Sequence, residues 1–247
     1  MAGYDEITFL EEPVAASLGF HRERQHRTST LIVDVGGGTT DLALVQLGGN
    51  RAPKVIKCWG LPMGGTDVDL ALAQSAFMPH FGRNERNGAP AHHYIEALSV
   101  HDQNRQRSFS KYNYEHVDPP FGPRLRSLQL TGNTHRTARI VERTKIHLST
   151  HLEKRTSLSY IERGLVVKAN SSSLQEASAA FQQRLDQILN MVVTDIGTSP
   201  DVVYLTGGMS QSPYIVEILR KRFPQSTRVR GDASFGVVRG LAIHAST

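Results

Sequence analysis

The stretch from Thr30 to Leu47, TLIVDVGGGTTDLALVQL, constrains this chain more than any other. An apolar run, Leu31 to Val33, leads through Asp34 and Val35 into three consecutive glycines, Gly36, Gly37 and Gly38. Thr39, Thr40 and Asp41 follow, and Leu42, Leu44 and Leu47 mark an alternating run leading away. Two β-type runs around a glycine-rich turn predict a hairpin. Three adjacent glycines leave peptide N–H groups unshielded by any Cβ and permit positive φ. Such a turn can curl its N–H groups around an anion. Asp34, at the mouth of the turn, is placed to hold a hydrated cation. A tight hairpin with solvating polar residues would need only the glycines. The added carboxylate and hydroxyls favour a magnesium–phosphate ligand.

At 247 residues the chain can bury a sizeable core, as one large domain or two modest ones. The net charge of +5 is mild, and charged residues are 21% of the chain, ordinary for a globular protein. Two basic clusters occur, His21–Arg27 and Arg136–Arg143, and neither is interleaved with aromatic residues, which argues against nucleic-acid binding. The single cysteine, Cys58, excludes an internal disulfide or a cysteine-based zinc site and fits a reducing compartment. Among the histidines only His92 and His93 are adjacent, and no metal-ligand spacing is present. No apolar run approaches membrane-spanning length and no signal pattern opens the chain, so the expectation is a cytoplasmic protein without a membrane partner.

Taken in order, Ile7 to Leu10 reads as a short strand running into a helix over Pro13–Leu18, closed by Gly19, with Glu12 at the switch. After the hairpin, Lys54–Trp59 predicts a third strand. Gly64 and Gly65 precede a helix carrying Val68, Leu72 and Ala76, with Thr66 and Asp69 at its acidic start. Residues 78–132, rich in Pro, Asn and His, read as an insertion of short helices and loops. From Thr137 a helix is expected to bury Val141, Leu148 and Leu152, with Glu142, Lys145 and Ser149 on one shared face. Taken alone, that trio would be a surface ion pair beside a serine. Leu158–Ile161 and Leu165–Lys168 predict a hairpin through Arg163–Gly164. Ser173 with Glu176 predicts a capping box for a long helix with Leu174, Ala177, Phe181, Leu185, Ile188 and Val192 inward. Asp201–Thr206 reads as a buried strand ending at Gly207–Gly208. Pro213 opens a helix behind a Ser212 cap, Arg228–Arg230 is a last strand, and a C-terminal helix carries Phe235, Val238 and Ala242.

In order, the segments EPVAA, DVGGGTTD, MGGTDVD, ERTKIHLS, YLTGGMSQSP and SFGVVRGLA resemble the ATPase domain of DnaK-type heat-shock chaperones, within the actin-like ATPase superfamily. The FMPHFG segment of the insertion is similar to short bacterial chaperone-like members. The resemblance runs from about Ala2 to the end. It implies an α/β, ribonuclease H-like lobe, a mixed sheet with flanking helices, interrupted by a mainly helical inserted subdomain. The implied organisation is 1–24 as a remnant of the first lobe with its crossover helix, 25–63 and 179–247 as the second-lobe subdomain, and 64–178 as the insertion.

The resemblance also assigns roles. It implies ATP/ADP and Mg2+ as ligands. Asp34 would hold the water shell of the metal, and Glu12 would place water or the metal. Gly36, Gly37 and Gly38 with Thr39 and Thr40 would wrap the β- and γ-phosphates, Thr39 nearest the transferred one. Glu142, Lys145 and Ser149 would bind the ribose and base edge. Gly207 and Gly208 would lie under the nucleoside, and Gly64 and Gly65 near the ribose and phosphates. Gln211 takes the position where the family places an arginine against the adenine, and Ile146 replaces another basic contact, a loss of cation–π stacking worth about 1 kcal/mol.

These ATPases grip phosphate from two lobes, and the expectation is that the first lobe, with its phosphate hairpin and lysine, is missing here. That predicts weak nucleotide binding and slow or absent hydrolysis unless a partner restores the first lobe. Co-chaperones and client proteins are the family's further partners, and an apolar exposed lobe face predicts self-association. The competing expectation is a non-catalytic scaffold or protein-binding module that keeps the fold and uses the basic insertion. A small-molecule kinase would need a catalytic aspartate and sugar-binding residues that the sequence does not display.

Overall fold

The computed structural model describes residues 26–49 and 53–231, together with Glu12, Val14, Ala15, Leu18, Val238, Leu241, Ala242 and Ala245. The expected strand over Ile7–Leu10, Pro13, and Phe235 lie outside the described residues. The chain divides into two compact units, residues 1–65 with 182–247, and residues 66–181.

The first unit is built on a five-stranded mixed sheet of order β3-β2-β1-β6-β7. Strands β1 (Thr28–Val35), β2 (Thr40–Leu47) and β3 (Lys54–Leu61) form an antiparallel meander. Strands β6 (Val202–Thr206) and β7 (Thr227–Arg230) continue the sheet in parallel beyond β1. The unbroken apolar run of β1 has its reason here: Leu31, Ile32 and Val33 are fully buried because the strand is covered on both faces. Ile32, Ala43, Val45, Leu47, Val202 and Tyr204 pack with Val14, one of the described residues in helical conformation near the N-terminus. Helix α7 (Pro213–Arg222) opens with proline in its first turn and buries Ile215 and Leu219. Its Arg222 reaches Asp186 and Asn190 on the last part of the long helix.

At the sheet edge, β3 exposes Ile56 and Cys58. The strand is pinned by Asp195, which accepts from Trp59 Nε1 at 2.7 Å and pairs with Lys57 Nζ at 2.8 Å. Trp59 is the only tryptophan, so its emission reports this contact. Asp195→Ala is expected to red-shift that emission and to leave the urea midpoint nearly unchanged, because the pair is solvent-exposed.

The second unit holds α1 (Gly65–Leu72, which begins at the boundary), a π turn at Ala73–Phe77 and a 3-10 turn at Met78–Phe81. It continues with α2 (Ala91–Leu98), α3 (Gln103–Lys111), α4 (Phe121–Gln129) and α5 (Asn133–Leu148). A hairpin of β4 (Glu153–Ser157) and β5 (Val166–Asn170) leads into α6 (Ser171–Ile196). Its core gathers Phe77, Phe81, Tyr94, Phe109, Tyr114, Leu125 and Val141. The stretch 78–132 holds the short helices and loops expected of it. Its aromatic residues, spaced one or two to a helix, supply a buried cluster that short apolar runs conceal. Arg124 holds this unit together, donating to both carboxylate oxygens of Glu162 and to the His80 carbonyl.

Three expectations are corrected. Helix α5 stops at Leu148, and Leu152 is 80% exposed rather than part of the buried stripe. The first hairpin strand ends before the expected one begins and the second runs from Val166 to Asn170, while Leu158, Ile161 and Leu165 are drawn into the core as loop residues. The long helix is capped by Asn170, whose Oδ1 accepts from Ser173 N at 2.9 Å and Ser173 Oγ at 3.1 Å, and not by a Ser173–Glu176 box. Near the C-terminus, Val238, Leu241, Ala242 and Ala245 are helical, as expected, and all four are exposed.

Candidate functional site

Parallel pairing of β1 with β6 brings their carboxyl ends together, with Asp34 opposite Thr206. The turn after β1 and the glycine after β6 therefore meet at one end of the sheet, where ligands of α/β folds commonly sit. Antiparallel pairing of β1 with β2 places Asp34 directly across from Asp41. Like charges in that position repel, so the sheet carries two acids here at a cost in stability.

The turn is closed by Gly36 N donating to Thr39 O at 2.9 Å, and Gly65 N donates to Gly36 O at 3.0 Å. Among the described residues, the N–H groups of Gly37, Gly38 and Thr39 donate to no protein acceptor. Gly37 and Gly38 are exposed. Unclaimed amides at an exposed glycine turn are anion-binding groups. Two further glycines wall the turn. A Cβ on Gly64 would lie 2.6 Å from both Gly36 O and Gly37 O. Gly207 has φ +84°, and a Cβ there would meet Asp34 Oδ1 at 2.4 Å and Val35 O at 2.5 Å. Met209 N then donates to Val35 O at 3.0 Å, tying the glycine pair to the end of β1.

The two threonines divide their work. Thr39 is exposed, and its hydroxyl donates to Asp41 Oδ2 at 2.9 Å. Thr40 is buried, and its hydroxyl donates to Met63 O at 2.9 Å, fixing the 61–65 segment against the hairpin. Asp41, which the sequence reading passed over, is thus a member of the site. Its position across an antiparallel pair from Asp34 was readable once a two-stranded hairpin was assumed.

Asp34 is only 7% exposed. Burial, with the charges of Glu12 and then Asp41, pushes its carboxyl up to about 6. A buried acid among acids fits a cation, since a positive charge would relieve each of those causes. No group of three His, Cys, Asp or Glu side chains among the described residues forms a closed metal cage. Magnesium takes one or two protein carboxylates, with water and phosphate oxygens completing its shell, and Asp34 can supply one of them.

The second unit carries the other predicted residues. Glu142 is exposed, and Ser149 closes α5, its hydroxyl donating to Ile146 O at 2.6 Å. Lys145 is 8% exposed, and its Nζ donates to Asp69 Oδ2 at 2.9 Å. That partner stands on α1. Asp69 is no helix-start acid, since Asp67 occupies the first turn. Gly208 and Gln211 are exposed beside Gly207 in the first unit.

The sheet is mixed, and its parallel pair ends in a glycine turn beside a buried aspartate. The comparisons indicate an actin-like ATPase fold. The family model for MreB/Mbl protein matches residues 1–75, which include Glu12, the hairpin and Gly64–Gly65. The chain is 25% identical over 255 residues to the chaperone protein DnaK of Cenarchaeum symbiosum. It is 22% identical over 256 residues to that of Thermosipho melanesiensis, and 21% over 259 residues to that of Thermus thermophilus. These alignments cover 99–100% of this chain and 33–36% of those proteins, so the chain spans about a third of the length of the curated relatives it matches. Both comparisons support assigning it to the DnaK-type actin-like ATPases. No described helix is long and apolar enough to cross a membrane.

Proposed function

We propose that this chain is a nucleotide-binding part of a chaperone-like ATPase and takes Mg-ATP and Mg-ADP. The observation that carries this is the set of three unclaimed amides, Gly37, Gly38 and Thr39, beside a buried Asp34. Those amides with Gly36 receive the β- and γ-phosphates, and Thr40 holds the turn in shape. Asp34 and Glu12 would hold the hydrated magnesium, which would supply positive charge against the phosphates. Asp41 orients the Thr39 hydroxyl toward the phosphate side. Gly64, Gly65, Gly207 and Gly208 leave backbone open to the ligand, and Gln211 contributes beside them. The adenosine contacts are Glu142, Lys145 and Ser149.

Hydrolysis needs positive charge on the transferring phosphoryl group. Among the described residues no lysine or arginine pairs with Asp34 or Asp41. The chain therefore binds nucleotide but hydrolyses it slowly until another lobe, in the same chain or supplied by a partner, adds that charge. Co-chaperones and clients act through that complemented form. Isothermal titration should show Mg-ADP binding that disappears in EDTA. Phosphate release from Mg-ATP should stay at or below about 10⁻² s⁻¹, the range of sites short of full charge stabilisation. Absence of any Mg-ADP binding would sink the assignment.

A further inference from the structure

His93 on α2 is only 9% exposed, and a buried imidazole resists taking up the proton that an exposed one accepts in mild acid. Its ring is gripped by the segment 112–117, which links α3 to α4. Tyr112 stacks on it, with ring centroids 3.5 Å apart and planes 11° from parallel. The Tyr114 hydroxyl lies 3.3 Å from His93 Nδ1. Among the described residues that hydroxyl has no other hydrogen-bond partner, and burial raises the phenol so that it stays protonated. Tyr114 therefore donates and Nδ1 accepts, which puts the single proton of the neutral imidazole on Nε2. Helix α4 supplies the rest of the grip, with Gln129 Nε2 donating to Tyr112 O at 2.9 Å and Arg126 Nη1 to Tyr114 O at 3.1 Å.

A second proton on the ring undoes this arrangement. An imidazolium donates from both nitrogens, so Nδ1–H would face the Tyr114 O–H donor. Tyr114 is buried beside Phe109 of α3, and turning its hydrogen away leaves that hydrogen without an acceptor. Burial, then the charge of His92 on α2, hold the His93 imidazole below its ordinary 6.5. Glu96 on α2 opposes them, and His116 in the segment adds to them. Hydrogen bonding to Glu96 raises the Tyr112 phenol, and Glu115 is engaged by Asn113.

We propose that His93 is an acid-sensitive clamp: the neutral ring locks the 112–117 segment onto α2, and its protonation releases the segment while both units stay folded. The clamp uses no residue assigned to the nucleotide. Once the segment opens, the imidazole returns to its ordinary 6.5. The stability that the clamp supplies is therefore complete above that pH and is lost as pH falls below it.

Hydrogen exchange of the full chain at pH 7.5 and 5.5, corrected for the intrinsic effect of pH, tests this. The Tyr112 and Val117 amides donate to Phe109 O and Tyr114 O. Both should lose about tenfold in protection at pH 5.5, which is what an open state titrating at 6.5 gains between those values. Amides of β1 and α6 should keep theirs. In His93→Gln, whose side-chain carbonyl still accepts from Tyr114, protection should change by less than about twofold, while His116→Gln should respond as wild type does. Imidazole resonances of the wild-type chain give a check that needs no variant. His93 should titrate below 6.5, and protection should fall from 6.5 down to the His93 midpoint and level off beneath it. Protection that ignores pH, that falls equally in His93→Gln, or that stops responding in His116→Gln would overturn the clamp. So would a loss shared by β1 and α6, which is global acid unfolding, or a His93 midpoint at or above 6.5. Should His93→Gln fail to fold, a loss that runs on past the wild-type His93 midpoint would overturn it instead.

Discussion

Gly207→Ala will destabilise the first unit by on the order of 3 kcal/mol and lower Mg-nucleotide affinity at least about thirtyfold. Two costs add. At φ +84° the residue occupies left-handed backbone, which a Cβ makes unfavourable by about 1–2 kcal/mol. The new methyl would also lie 2.4 Å from Asp34 Oδ1, 2.5 Å from Val35 O and 2.7 Å from Val35 C. Two of those atoms are backbone, so the overlap is relieved only by moving the end of β1, a strain of about 1–3 kcal/mol. The affinity loss follows from the same displacement, because Val35 leads directly into the turn proposed to take phosphate and Asp34 is the acid proposed to hold the metal. Urea denaturation followed by Trp59 emission measures the first effect, and titration with Mg-ADP the second. The neighbouring glycine is the stability control: a Cβ on Gly208 meets nothing within 4 Å, so Gly208→Ala should shift stability by less than about 0.5 kcal/mol. Equal costs at both positions would mean that the contact between the two sheet ends has been misread.

The hairpin was legible in the sequence because its pattern is local: apolar alternation, three glycines and flanking polar groups over eighteen residues. The long helix was legible for the same reason, its inward stripe from Leu174 to Val192 keeping helical spacing throughout. What sequence hid was tertiary. Asp69 looks like any acid in the first turns of a helix until α5 brings Lys145 to it. Leu152 satisfies helical spacing, yet the chain leaves the helix at Leu148 to begin β4, and the spacing then means nothing. The 78–132 stretch was readable as short helices and loops, since prolines and asparagines mark its turns, while the aromatic residues that pack it were not singled out. Local chemistry was readable, and pairings between distant segments were not.

Those pairings explain why Asp34→Asn should separate stability from binding. In the folded chain the Asp34 carboxyl is pushed up to about 6, against an ordinary value of 3.8, by burial, Glu12 and Asp41. The unfolded chain therefore holds fewer protons at this site between those two values. Stability is greatest below the ordinary value and falls as pH rises through about 6. Above that window, an ionised Asp34 costs the ligand-free protein on the order of 3 kcal/mol. Asparagine keeps the shape and removes the charge. At pH 7.5 without ligand, Asp34→Asn should thus be more stable than wild type by about 1–3 kcal/mol, with the gain shrinking toward pH 4. Mg-ADP should reverse the order. A ligand present at a hundred times its dissociation constant adds about 2.7 kcal/mol to the protein that binds it, and only wild type retains the metal-side carboxylate. Urea denaturation at pH 4.5 and 7.5, with and without Mg-ADP, reads all four states. A variant less stable than wild type without ligand would show that Asp34 is a structural acid. Equal stabilisation of both proteins by Mg-ADP would show that the cation is held elsewhere.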